Sequence, residues 1–138
     1  LPGQWFTAPA TPPVGRFDVD VPPERALGAI GDSAVVEGYG LGAMAIHLSH
    51  AQMEGLGAFL PADMAARRAA LPVGRHPVFG AFDLQLGLAV RHMTMAQTGA
   101  VIGLGIIDAD GTDGRLGGGI YTMPATLAEQ AIAALETA

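Results

Sequence analysis

The sequence predicts an α/β fold with a few-stranded sheet and several helices, its core completed by another chain or domain. Three observations carry that expectation. The run "GAVIGLGII", Gly99 to Ile107, alternates apolar residues with glycine and reads as a buried strand, bounded by Gly99 and by "DADG". Around it lie stretches with apolar residues at helical spacing, punctuated by glycine and proline. Half of the 138 residues are hydrophobic, 14% are charged and the mean hydropathy is +0.37, so the chain has more apolar surface than a soluble domain of this size ordinarily shows.

Residues 1–30 hold six of the ten prolines and form an extended, proline-stiffened segment in which Trp5, Phe6 and Phe17 lie against another surface. Residues 31–138 form the α/β domain. Asp32 and Ser33 are good N-caps, and a helix beginning there can run until "GLG" at 55–57 ends it. Pro61 and Pro72 bracket a short helix from Ala62 to Leu71, and "PVGRHPVFG" is a turn. Residues 82–98 read as a helix with Leu84, Leu88 and Met95 inward, although its start could be extended chain. After the strand at 100–107 come a polar glycine loop, "DADGTDGRLGGG", and a short strand, "GIYTM". The last helix has a capping box at Thr126–Glu129 and a buried stripe of Ala128, Ile132 and Leu135. No internal repeat is visible.

Composition also excludes function classes. Without cysteine there are no disulfides or thiolate metal sites, which fits a cytoplasmic protein. A net charge of −6, with seven scattered arginines and no lysine, argues against a nucleic-acid partner. The apolar run at 99–107 is about half of the roughly 20 residues a membrane-spanning helix needs. The proline-rich start also lacks the basic, apolar and cleavage regions of a secretory signal.

Three constellations could carry chemistry. Asp32, Ser33 and Glu37 sit among Gly31, Gly40 and Gly42, and a helix N-terminus there could receive a carboxylate or phosphate. The alternative is an ordinary cap on a glycine-faced helix packed against another helix. His47, His50 and Glu54 would share one helix face, but "HLSHAQME" lacks the zinc-protease spacing, and no metal is expected. "DADGTDG" fails the calcium-loop register, which puts Thr112, Asp113 and Gly119 at its fifth, sixth and twelfth positions. What remains is a glycine loop in which Gly114, Gly117, Gly118 and Gly119 could form an anion nest beside Arg115, or simply a tight turn.

"GDSAVVEGYGLGAMA" resembles the pattern "GDSAITETxGLGGFAM" of the YlbE/AllG-type proteins, a domain of unknown function linked to oxamate carbamoyltransferase. The resemblance continues in order through "WFTAPATPPVGRFDVD", through "FDLQLGLAVRHMTMAQTGAVIGLGI" with Asp83, Val90, Gly99 and Gly105 on matching positions, and through "GRLGGGIYTMPATLAEQAIAAL" with Gly114, Gly117, Gly119 and Pro124. It implies that residues 31–138 correspond to the C-terminal third of a larger protein. It also implies nitrogen catabolism of purines and allantoin, in which a carbamoyl group moves between oxamate and phosphate without a cofactor.

On that resemblance, Asp32 would orient an amine or an arginine, Ser33 would donate to an oxyanion and Glu37 would act as base or anchor. Gly31, Gly40, Gly42, Gly114, Arg115, Gly117, Gly118 and Gly119 would bind the substrate's anionic groups. Two departures stand out. Val36 and Gly38 replace the family's threonines, and "DADGTDG" replaces its "AHKEPG", removing a lysine and a histidine and adding acid. Two functions therefore compete: part of a carbamoyltransferase-like or other amide-processing enzyme, acting on a small-molecule substrate with the rest of the protein or a partner subunit, and a non-catalytic assembly module.

Overall fold

In the computed structural model, which describes residues 2–137, the chain runs β1 (Val14–Phe17), α1 (Ser33–Gly38), α2 (His50–Leu56), α3 (Met64–Ala70), β2 (Pro72–Arg75), β3 (Gln85–Leu88), α4 (Val90–Ala96), β4 (Val101–Ile107), β5 (Arg115–Thr122) and α5 (Ala125–Glu136), with short 3-10 helices between some of them. The architecture is mixed α/β. Its main sheet is antiparallel in the order β1-β5-β4, and β2 and β3 form a separate antiparallel pair. The strand expected at 100–107 is β4. Val101 and Ile106 are fully buried on it, each contributing roughly 1.5–3 kcal/mol by leaving water.

Two cores flank the sheet. The larger gathers Met44, Met64, Leu71, Met93, Val101 and Ile120 with the small Ala43, Ala100 and Ala128. The smaller holds Ala26, Ile106 and Leu116, with Phe17 and Val21 packed on it. The proline-rich segment thus contributes a strand and part of a core, while its Trp5 is 87% exposed.

Several elements differ from expectation, for local reasons. The long helix from Asp32 is three pieces: α1, a 3-10 helix at Ala43–Leu48, and α2. Gly40 has φ +78°, a left-handed conformation that ends α1, and the Ser49 hydroxyl caps a fresh start by accepting from the Gln52 N–H. The expected helix at 82–98 begins at Val90. Asp83 is left-handed, and residues 85–88 form β3, paired with the stretch expected to be a turn. Met93, not Met95, therefore faces the core, and Met95 is 76% exposed. The capping box is absent: α5 starts at Ala125 behind Pro124, no side chain caps it, and Leu135 is 58% exposed where a buried position was expected.

The largest change concerns "GRLGGG". It is not a loop. From Arg115 onward it is β5, the central strand, bonded to β4 on one side and β1 on the other. The backbone groups of Gly117, Gly118 and Gly119 belong to that ladder, so they do not form a free anion nest. Their composition has another cause. A Cβ on Gly117 would collide with the Arg16 carbonyl, and one on Gly15 with the Gly118 carbonyl, so glycine permits the close approach of β1 to β5.

Candidate functional site

In "EGYGLGAM" each glycine has its own reason. Around Gly38 a side chain would meet nothing within 4 Å. Gly40 supplies the left-handed turn, its N–H donating to the Glu37 carbonyl at 2.7 Å. Gly42 makes room for a side chain, because a Cβ there would overlap Oε2 of Glu37. The Glu37 carboxyl is buried, with 1% of the residue exposed; Oε1 accepts from the Met44 N–H at 3.0 Å, and Oε2 is buried with no partner among the described residues. Burial pushes its pKa up to about 7, against the opposing pull of the Met44 and Ala43 N–H groups.

The trio Asp32, Ser33 and Glu37 does not converge. Asp32 is exposed at the N-cap position and its side chain makes no cap bond. Ser33 is half-buried beside a cavity of about 80 Å³ whose floor is Ile102, Leu104 and Tyr121. Gly31, also on that cavity, has φ +121°. Because α1 has only six residues, its dipole gives little help to an anion.

A larger cavity, about 410 Å³, lies where the segment 41–56 crosses the opposite face of the sheet. Its floor is glycine. Gly103 and Gly105 of β4 alternate onto one face, and Gly118 lies opposite Gly105 in the register, so three adjacent positions carry no side chain. Gly42, Ser49 and Gln52 contribute to the wall, with Arg115 at the edge. The Arg115 guanidinium lies over the bare floor: a Cβ on Gly118 would be 3.4 Å from its Nη2, and one on Gly105 would be 3.6 Å from its Nε. Nη1 of Arg115 donates to Oδ2 of Asp18 at 2.9 Å. The cavity can therefore offer a planar cation, backbone at close range, a hydroxyl and an amide.

The acidic loop after β4 is organised from within. Asp108 is buried and accepts from the N–H groups of Asp110, Thr112 and Asp113, from the Thr112 hydroxyl, and from Arg25 through both Nε and Nη2. The Asp113 N–H first, and Arg25 with the other N–H donors, hold the Asp108 carboxyl well below the usual carboxylate range against the cost of burial. Gly114, at φ +67°, closes the loop, its carbonyl accepting from the Asp108 N–H. These acids are tied to Arg25, and none of them lines the cavity over the glycine floor.

His47 belongs to the 3-10 helix, while His50 and Glu54 are exposed on α2. Among the described residues no group of three His, Cys, Asp or Glu could hold a metal ion. Nor is any helix there long and apolar enough to cross a membrane.

Known proteins are similar to this chain along almost its whole length. The oxamate carbamoyltransferase subunit AllG of Escherichia coli (strain K12) is 30% identical over 143 residues, which span 96% of this chain and 33% of that protein. YahG of the same organism, described as uncharacterized, is 29% identical over 139 residues, 96% of this chain and 29% of that protein. The chain is a distant homologue of both. It spans about a third of their length. A crystal structure of a conserved protein of unknown function from Enterococcus faecalis V583 superposes with a TM-score of 0.75 at 24% identity, covering 97% of this chain and 34% of that one, and shows the same fold. No protein-family model matches the chain.

Of the residues singled out in the sequence, the larger cavity brings together Gly42, Arg115 and Gly118, with Glu37 packed behind Gly42. It leaves out Gly31, Asp32, Ser33, Gly40, Gly114, Gly117 and Gly119. Sequence reasoning missed Asp18, Ser49, Gln52, Gly103 and Gly105. For the last two a signal existed: glycine at every second position of a strand leaves one face bare, and "VIGLGII" has that spacing. For Asp18, 97 residues from Arg115, there was none.

Proposed function

We propose that this chain is the C-terminal portion, or a subunit, of a carbamoyltransferase-like enzyme of nitrogen catabolism, handling a small amide or carboxylate of the oxamate and carbamoyl phosphate class. Homology to AllG supports the chemistry. The observation that carries the reading is the glycine-floored cavity with Arg115 at its edge. A guanidinium with free donors pairs with a planar carboxylate through two parallel bonds, and the bare floor lets a flat molecule lie close to backbone. In transfer, the oxamate nitrogen attacks the carbamoyl carbon. The C–O bond to phosphate breaks, its electrons leave with phosphate, and the proton given up by the nitrogen passes to the departing phosphate. The role assigned to this chain is to hold and orient the oxamate carboxylate, the positioning contribution to catalysis.

The test is to incubate the full-length protein, with its partner subunits, with oxamate and carbamoyl phosphate and to follow carbamoylated oxamate and released phosphate. Arg115→Gln is expected to lower kcat/KM about 10- to 100-fold, the worth of a charge-assisted hydrogen bond. Turnover unchanged by that substitution removes Arg115 from the site, and no carbamoyl transfer by the complete assembly sinks the reading.

A second reading, a non-catalytic assembly module, is favoured by the outer face of α1 and the turn after it. Val35, Val36 and Tyr39 are 65%, 49% and 61% exposed, an apolar row suited to another protein surface.

A further inference from the structure

The chain's net charge is −6, yet two arginines share one carboxylate beside the larger cavity. Arg115 lines it, and Arg16 lies opposite Gly118 in the β1–β5 register, so its side chain leaves the sheet on the face of the glycine floor. Between them sits Asp18. Its Oδ2 accepts from Arg115 Nη1 at 2.9 Å, and its Oδ1 from Arg16 Nη2 at 3.4 Å. The Asp18 N–H donates to the Leu116 carbonyl at 2.8 Å, which fixes the backbone beneath that carboxylate.

We propose that Asp18 occupies the place of a ligand carboxylate, and that the cavity binds a small planar monocarboxylate which displaces Asp18 from Arg115 and Arg16. This deepens the proposed function, on which it rests for the identity of the probe. The ion pairs are of the displaceable kind: the side chains of Arg115, Arg16 and Asp18 are 60%, 68% and 40% exposed, and exposed pairs are weakly held. The three groups together carry one net positive charge, enough for one carboxylate once Asp18 has turned to solvent. Gly105 and Gly118 leave room for the guanidinium itself to lie flat on the sheet, and Gly103 continues the side-chain-free floor beyond it toward the cavity. Asp18 already accepts from Arg115 at 2.9 Å, so a ligand carboxylate can take over the same donor.

The test is calorimetric titration of the full-length protein with oxamate, with oxamide, which replaces the carboxylate by an amide, and with inorganic phosphate. The variants are Asp18→Asn, Arg115→Gln and Arg16→Gln, with thermal melts to verify folding and the carbamoyl-transfer assay run in parallel. Asp18→Asn is expected to tighten oxamate about threefold or more, the scale of an exposed ion pair, and Arg115→Gln to weaken it about tenfold. Arg16→Gln is expected to weaken it less, and oxamide not to bind. The proposal is overturned if Asp18→Asn leaves oxamate affinity unchanged or lowers it, if Arg115→Gln has no effect, or if oxamide or phosphate binds the wild type as tightly as oxamate. Oxamate binding that follows Arg115 and Asp18 without carbamoyl transfer upholds the site and sinks the transferase reading. Transfer with affinities indifferent to both residues does the reverse.

Discussion

Glu37 illustrates how one side chain is set by neighbours that a sequence does not display. Its burial follows from Gly42 leaving space, and its single hydrogen-bonded oxygen from the turn that brings Met44 back over α1. An acid whose folded pKa stands above its unfolded value binds more protons folded than unfolded. Its contribution therefore favours the native state below the ordinary value of 4.5 and is lost as pH rises through about 7, above which both states are ionised. The loss across that window is on the order of 3 kcal/mol for a fully buried group. Glu37→Gln retains an acceptor for Met44 and cannot ionise, so its unfolding free energy, measured in urea at pH 5 and pH 7.5, should fall less than that of the wild type. An equal fall in both proteins would assign the slope to other groups. Asp108 has the opposite sign: held low by its donors, it stabilises at neutral pH and loses that contribution only in acid, as pH falls through its folded value.

At the scale of elements, glycine has two meanings that composition alone does not separate. Gly15 and Gly117 lie where the backbones of β1 and β5 come too close for a side chain. Gly117→Ala should therefore cost about 1–3 kcal/mol, the usual range for forcing atoms into filled space, and lower the melting temperature. Gly38 ends α1 with open space around it, so Gly38→Ala should raise stability by about 0.5–1 kcal/mol. A melt in which the two substitutions behaved alike would contradict the packing described for β1 and β5. The same ambiguity explains which elements were legible. β4 announced itself by its branched residues and by the bounds Gly99 and "DADG", and α3 by its flanking prolines. The 32–54 segment has helical periodicity throughout, so its breaks at Gly40 and Ser49 depended on turns whose geometry is decided by contacts with β3 and β4. β3 was hidden because its partner β2 is only four residues long, and neither strand alternates in burial.

For the molecule as a whole, the outstanding feature is the amount of large apolar side chain left at the surface. Trp5, Val35, Tyr39, Phe82 and Met95 are all more than 60% exposed, and a chain spanning about a third of its relatives' length has candidate protein surface to place against them. If α1 docks on such a surface, Val35→Asp combined with Tyr39→Asp should change the oligomeric state of the full-length protein, read by light scattering after size-exclusion chromatography. The fold should persist by circular dichroism, because both side chains point to solvent. If assembly is unaltered, α1 is not the docking face.

By itself the sequence determined the α/β class, the position of the buried strand and the homology, because each depends on local alternation, on proline and glycine boundaries, or on motif order along the chain. It also brought forward Glu37, Gly42, Arg115 and Gly118. Only the tertiary structure decided that "GRLGGG" is a central strand and that Asp32 and Ser33 stand apart from the larger cavity. It alone placed Asp18 against Arg115. The physical reason is that a glycine run has no side chain to declare whether its backbone faces a ligand or another strand. A pairing across 97 residues exists only once β1 has been laid against β5.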